Sequence, residues 1–97
     1  MAQALGYAYY EKLECRQGRF AQHTMADYVI PTSLDLPRIE RNFVENLYPY
    51  GPFGAKGGGE LTINGGAPAF VAAVEQAVGQ SFSAIPLTPE VILEALQ

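Results

Sequence analysis

The hydrophobic pattern of the last third of the chain predicts two helices. Between Pro68 and Gly79, apolar residues recur at the spacing of one helix face. Pro68 suits the first turn of such a helix, and Gly79 is the residue type that commonly ends one. A second helix is predicted to begin at Thr88-Pro89-Glu90, because this run supplies an N-cap hydroxyl, a first-turn proline and an acidic side chain.

The pattern of the first twenty residues is less decisive. Residues 2–10 fit a helix face through Leu5 and Ala8, but the alternation of Tyr7 and Tyr9 would also suit a strand. Residues 12–16 then alternate polar and apolar, and a Gln-Gly pair precedes Arg-Phe at residues 19–20. This second pattern predicts a β-hairpin.

The middle of the chain is predicted to be irregular. Residues 27–32 form a short apolar run that ends at a proline, and Asp27 and Asp35 are predicted to cap turns. Residues 38–45 fit either a strand or a helix, and periodicity does not decide between them. Residues 46–66 are predicted to form one long loop, and loops of that length in a compact domain are usually functional or disordered.

The length of 97 residues limits the chain to a single domain or part of one, residues 1–97. Hydrophobic residues make up 48% of the chain and charged residues only 16%, against about 25% in a usual soluble domain. Either another chain or domain covers part of the surface, or the domain has a compact, uncharged surface. Both interpretations stay open on composition alone.

The charge and the cysteine content exclude several classes of protein. A net charge of -4 with six scattered basic residues disfavours nucleic-acid binding. A single cysteine excludes an internal disulfide framework. No run approaches the ~20 apolar residues that span a bilayer. The N-terminus has no basic leader region, so we expect no signal peptide, no membrane partner and a cytoplasmic location.

The most distinctive run is Gly54-Ala55-Lys56-Gly57-Gly58-Gly59-Glu60. Seven of the ten glycines lie in residues 51–66, and Lys56 and Glu60 are the only charged residues between Glu45 and Glu75. Glycine is used where the backbone needs positive φ or must approach another group closely. A lone carboxylate at the end of such a run is a candidate acid or base.

Simpler interpretations of the same run remain. It is not a P-loop, because Lys56 follows alanine and no Ser or Thr follows it. Residues 54–57 match the GXXG of KH domains, but that pattern is short and the acidic balance opposes it. The run could also be a glycine-rich turn with a solvated Glu60. Cys15 and His23 lack the third member of a nucleophilic site, and one His with one Cys cannot build a zinc site.

Several motifs together carry a resemblance to a known family. The run at residues 54–60 resembles the Gly-Ala-Lys-Gly-x-Gly-Glu signature near the C-terminus of the molybdopterin-binding subunit of the xanthine dehydrogenase/aldehyde oxidase family, the molybdenum hydroxylases. Further segments resemble family motifs in the same order. They are Gln3 to Glu11, Asp27-Tyr28-Val29-Ile30-Pro31-Thr32, Gly51-Pro52-Phe53-Gly54, Ala67-Pro68-Ala69 with Ala73-Val74, and Pro86-Leu87-Thr88-Pro89-Glu90.

The resemblance implies a role for each residue of the loop. Glu60 would be the general base beside the molybdenum, acting as water-derived oxygen is added to a carbon of an aldehyde or N-heterocycle. Lys56, Gly57, Gly58 and Gly59 would contact the cofactor, with the glycines letting backbone N–H groups approach it. No residue of this chain would ligate the metal. The loop departs from the family pattern at Gly58, where a branched residue is common, and after Glu60, where Leu61-Thr62 replaces a proline.

The resemblance also implies the architecture and the partners. We expect an α+β fold with a leading helix, a small sheet of about three strands, a long glycine-rich loop and two C-terminal helices. The complete enzyme would carry molybdopterin-molybdenum, with 2Fe-2S clusters and FAD on other domains or subunits. The chain alone would bind no cofactor, would lack activity and could form a homo-oligomer; its partners would be the rest of the subunit and the iron–sulfur and flavin components. The alternative is a non-catalytic remnant or protein-interaction domain that keeps the fold only.

Overall fold

A computed structural model describes all of residues 1–97, and it begins with a helix. Helix α1 covers Ala2–Leu5 and continues as a π-helix over Gly6–Tyr10. The Glu11 N–H closes the π-helix by donating to the Gly6 carbonyl at 2.8 Å, a five-residue step that is typical of π geometry. The helical interpretation of residues 2–10 is therefore the correct one.

The predicted hairpin is present, but it is the whole sheet. Strands β1 (Cys15–Arg16) and β2 (Arg19–Phe20) pair antiparallel. Gln17 and Gly18 between them have φ of 51° and 77°, the two positive values that a type I′ turn requires. The sheet has two strands and not the expected three or so, because residues 38–45 form neither strand nor helix.

Three helices follow in the second half. They are α2 (Leu61–Asn64), α3 (Gly66–Val78) and α4 (Pro89–Ala95). Helix α3 ends as predicted, since Gly79 has φ 72° and its N–H donates to the Glu75 carbonyl at 2.8 Å. Helix α4 begins after Thr88, also as predicted. The single loop expected over residues 46–66 is wrong, because a 3₁₀ turn (Pro52–Gly54) and α2 interrupt it.

Three alanines and one leucine form the core, around the contact of α1 with α2 and α3 and the segment before α4. Ala4, Ala8, Ala67 and Leu87 are the buried hydrophobic residues, none more than 4% exposed. A Cβ at Gly66 would overlap the Cβ of Ala4, so the helices cross at the distance that only glycine permits. The N–H of Leu87 donates to the Ala8 carbonyl at 2.8 Å, which fixes the segment before α4 to α1.

A side-chain hydrogen bond joins the residue after the π-helix, Glu11, to the segment at residues 27–32. The Tyr28 hydroxyl donates to Oε2 of Glu11 at 2.5 Å. A Cβ at Gly6 would overlap Oε1 of Glu11, so glycine lets that carboxylate fold back over the helix. The predicted turns are also present, because Thr24 donates to Asp27 at 3.0 Å and Thr32 to Asp35 at 2.7 Å.

The chain leaves much of its apolar surface uncovered by its own residues. Its accessible area is 8123 Å², about 2,700 Å² more than a compact protein of this mass exposes. Its radius of gyration is 17.2 Å, against about 13 Å for a compact chain of this length. Leu34, Phe43 and Phe53 are at least 92% exposed. Of the two interpretations of the low charge, the structure favours the one in which another chain or domain covers part of the surface.

Candidate active site on the glycine loop

The glycine loop, residues 54–60, follows a turn at residues 48–54 that is held by backbone hydrogen bonds. The Gly54 N–H donates to the Gly51 carbonyl at 3.0 Å, and the Tyr48 N–H donates to the Gly54 carbonyl at 3.1 Å. Phe53 and Gly54 both have positive φ, 53° and 78°. A Cβ at Gly51 would overlap the carbonyl oxygen of Ala55, so glycine is required at that position. The chain therefore enters the loop in one defined direction.

Glu60 is the last residue before α2. Its carbonyl accepts the N–H of Ile63 at 3.0 Å, which makes Glu60 the first residue fixed by the helix. Helix α2 passes through Gly65 into α3 and packs against α1. The position of the Glu60 backbone therefore depends on the core contacts of α2 and α3.

The three glycines before Glu60 face open space. A Cβ at Gly57, Gly58 or Gly59 would meet no other atom of the chain within 4 Å. None of the three has positive φ, and their N–H groups form no hydrogen bond within the chain. Nothing in the chain's own fold requires glycine here, and three consecutive backbone donors stay free.

The two charged residues of the loop are also unpaired. The side chains of Lys56 and Glu60 are exposed and form no hydrogen bond or ion pair with each other or with other residues. The ion pairs of the structure join Glu14 to Lys12 and to Arg16. None of the five main surface cavities is lined by residues 56–60. The loop is thus an open edge and not a closed pocket.

The hydrogen-bonding groups of the loop suit a cofactor whose metal is ligated by the cofactor itself and not by side chains of this chain. No cluster of three or more His, Cys, Asp or Glu side chains is present that could hold a metal ion. The loop instead presents free backbone N–H groups and one free carboxylate. Such groups can hydrogen-bond a molybdenum-pterin group from one side, because the chemistry of that group comes from the cofactor and the protein orients it.

Side-chain hydrogen bonds shift two pKa values in the segment at residues 28–35. The hydrogen bond to Glu11 raises the pKa of Tyr28. Hydrogen bonds from Thr32 lower the pKa of Asp35. Cys15 and His23 are both exposed, and no hydrogen bond joins them, so they form no nucleophile–base pair.

Two long-range contacts were not found by sequence reasoning, and only the second involves a helix that follows Glu60. One is the hydrogen bond from Tyr28 to Glu11, and the other is the close approach of Ala4 to Gly66. The partners are far apart in sequence, so hydrophobic periodicity carries no signal for either. Only the glycines at positions 6 and 66 hinted that backbone or side chains come close there.

Comparison with known proteins gives the family. No family model matches the chain. It is 34% identical over 96 residues to a xanthine dehydrogenase molybdenum-binding subunit of Escherichia coli, covering 97% of this chain and 13% of that protein. It is 35% identical over 99 residues to the aldehyde oxidoreductase molybdenum-binding subunit PaoC of the same species, covering 99% of this chain and 14% of that protein. The chain belongs to the molybdenum hydroxylase family.

A solved structure agrees with this family. Quinoline 2-oxidoreductase from Pseudomonas putida 86 superposes with a TM-score of 0.86 and 34% identity, covering 98% of this chain and 13% of that one. The resemblance drawn from the motifs is therefore confirmed, and the fold of this molybdenum hydroxylase segment is that of its relatives. The chain spans about an eighth of the length of the curated relatives it matches. The structure contains no helix with the length and apolar character of a membrane span.

Proposed function

We propose that this chain forms part of a molybdenum hydroxylase that hydroxylates an aldehyde or an N-heterocycle with oxygen from water, and that Glu60 is its general base. The homologues are oxidoreductase subunits, and their names include an aldehyde oxidoreductase, a xanthine dehydrogenase and a quinoline 2-oxidoreductase. Those names support both substrate classes, so the proposal keeps both.

One observation carries the proposal at the level of atoms. A free carboxylate, that of Glu60, follows three glycines whose Cβ positions are open and whose N–H groups are unpaired. Gly65 is also open at its Cβ position, but Gly57, Gly58 and Gly59 are three consecutive glycines directly before a free carboxylate. Such a run indicates close approach by something outside the chain. That is the geometry expected where a loop borders a cofactor.

The chemistry divides between the cofactor and the chain. When bound, the molybdenum-pterin group supplies the two-electron redox chemistry and polarises the oxygen derived from water. Gly57, Gly58 and Gly59 donate backbone hydrogen bonds that orient the group. Glu60 would accept, at a carboxylate oxygen, the proton that the water-derived oxygen gives up as it bonds to the substrate carbon. The hydrogen that this oxygen replaces leaves the carbon with its bonding electron pair, for which the bound group would be the two-electron acceptor. Lys56 contributes positive charge beside the cofactor.

The remaining parts of the enzyme lie outside these residues. The excess exposed surface of about 2,700 Å² is several times the ~800 Å² that one partner contributes to a standard interface. We therefore assign most of it to contact with the rest of the molybdenum-binding subunit. The 2Fe-2S and FAD centres belong to other domains or subunits of a cytoplasmic complex, and the chain alone is inactive.

The experiment is a Glu60→Gln substitution in the complete enzyme. Glutamine keeps the shape of the side chain and removes its capacity to take a proton. We expect kcat to fall by about 10²- to 10⁴-fold, the usual contribution of a general base, while the molybdenum content stays unchanged. Glu94→Gln is the matched control, because Glu94 is an exposed carboxylate on α4.

Two outcomes contradict the proposal. If Glu60→Gln keeps the metal and turns over like the Glu94→Gln control, Glu60 is not the base. If the complete protein binds no molybdenum at all, the chain is a non-catalytic relative that keeps the fold. Loss of turnover with full metal content in Glu60→Gln alone supports the assignment.

A further inference from the structure

One contact in the core has a direct geometric link to the candidate base. Gly66, the first residue of α3, approaches Ala4 of α1 so closely that a Cβ at position 66 would overlap the Cβ of Ala4. Gly65, one residue earlier, has open space at its Cβ position and a φ of -93°. Two neighbouring glycines therefore differ completely in what an added methyl group would meet.

The chain between this contact and Glu60 is short and helical. Helix α2 begins directly after Glu60 and leads through Gly65 to Gly66. The hydrogen bond from the Ile63 N–H to the Glu60 carbonyl, at 3.0 Å, ties the first turn of α2 to Glu60. Helix α1 packs against both α2 and α3. A displacement of Gly66 away from α1 therefore moves α2, and with it the backbone of Glu60.

We propose that the close contact between Ala4 and Gly66 positions Glu60 for proton transfer, so that Gly66 is a positioning residue of the active site. The inference rests on the proposed function of Glu60. Relief of the overlap in a Gly66→Ala variant needs a shift of about 1 Å, and a misplacement of that size costs about 10²-fold in rate. A base acts mainly in the transition state, so kcat and kcat/KM fall together and KM changes little.

The test compares three variants of the complete enzyme. Gly66→Ala introduces the overlap, and Gly65→Ala adds the same methyl group one residue earlier, where there is room. The double variant Ala4→Gly/Gly66→Ala moves the methyl group from α1 to α3, where the next nearest atoms of residue 4 are 3.6 Å away, an ordinary contact distance. Molybdenum content is measured for each variant.

Two readouts are taken. The first is the split between kcat and KM. The second is independent of activity: hydrogen exchange of the backbone amides of residues 60–64, which includes the Ile63 N–H. We expect Gly66→Ala to lose about 10²-fold in kcat and to exchange faster in this segment. We expect Gly65→Ala to match the unsubstituted enzyme in both, and the double variant to recover both.

Each result decides the inference. Equal kcat and equal exchange in Gly66→Ala and Gly65→Ala overturn it. If Gly66→Ala loses activity, folding or metal, recovery in the double variant supports the contact as the cause, and failure to recover overturns it. Glu60→Gln distinguishes failure of the proposed function from failure of the positioning role. If Glu60→Gln is active, the assignment of Glu60 as the base fails. If Glu60→Gln is inactive and Gly66→Ala is normal, only the positioning role of Gly66 is overturned.

Discussion

Removal of the Leu87 side chain tests whether the small core holds the chain together. Leu87 is fully buried, the only large side chain of which this is true. Leucine to alanine removes three carbons, a loss of about 2.4 kcal/mol at about 0.8 kcal/mol per buried methylene. A residual cavity raises the cost of such substitutions to as much as about 5 kcal/mol. We take the lower end, because the thin core around Leu87 can collapse inward.

The assay is equilibrium urea unfolding of the purified chain, with Leu34→Ala as the control. Leu34 is 94% exposed, so the same substitution there changes the free energy of unfolding by no more than about 0.5 kcal/mol. We expect Leu87→Ala to lower that free energy by about 2–3 kcal/mol. Equal effects of the two substitutions would show that Leu87 is not buried in solution and would refute the proposed core.

Three further predictions concern other parts of the chain. Tyr28→Phe removes the hydrogen bond to Glu11 and should destabilise the fold by about 1 kcal/mol, because the pair is only half-buried. The raised pKa of Tyr28 adds stability that is present below pH 10.0 and lost as the pH rises above that value. In urea unfolding, the unsubstituted chain should therefore lose stability at alkaline pH by more than Tyr28→Phe does. The same dependence of the unfolding free energy on pH in both proteins would contradict this prediction. Gly6→Ala should displace the Glu11 side chain and expose α1 to faster hydrogen exchange. Gly65→Ala is the control, because Gly65 has open space at its Cβ position and a φ of -93°, and it should leave α1 exchange unchanged. The isolated chain should bind a hydrophobic dye and self-associate in light scattering; a dye-free monomer with a radius of gyration near 13 Å would contradict the uncovered surface.

Local signals in the sequence were enough to predict several elements. The Gln17-Gly18 turn, the Gly79 helix end and the Thr88-Pro89 helix start each depend on the conformation of one or two residues. The turns at Asp27 and Asp35 likewise involve side chains three residues from their partners. Backbone preferences and short-range hydrogen bonds decide such features, so a single sequence contains them.

Elements that depend on distant contacts were not predictable in the same way. Helix α2 contains the β-branched residues Thr62 and Ile63 and is followed by two glycines, a composition that disfavours a helix. It forms where the chain packs against α1. Residues 38–45 fitted either a strand or a helix, because their apolar side chains suit burial in both. Phe43 and Val44 instead stay more than 90% exposed, since no strand of this chain pairs with them.

The candidate site likewise has a part that depends on neighbouring residues in sequence and a part that depends on distant contacts. Its residues could be proposed from the sequence, because the glycine run and the lone Glu60 are contiguous there. Its support could not: Ala4 and Gly66 meet only in the folded chain. The roles of Gly57, Gly58 and Gly59 stay a prediction, since the structure shows only that their N–H groups and Cβ positions are open.

The most direct test of the central claim is the rate at which excess substrate reduces the complete enzyme when no oxidant is present. This half-reaction includes the proton transfer assigned to Glu60. It does not include the later transfer of electrons from the reduced enzyme to an oxidant. For Glu60→Gln with full molybdenum content, we predict a rate about 10²- to 10⁴-fold below that of the unsubstituted enzyme. Reduction of the metal-loaded variant at the unsubstituted rate would contradict the claim that Glu60 is the base.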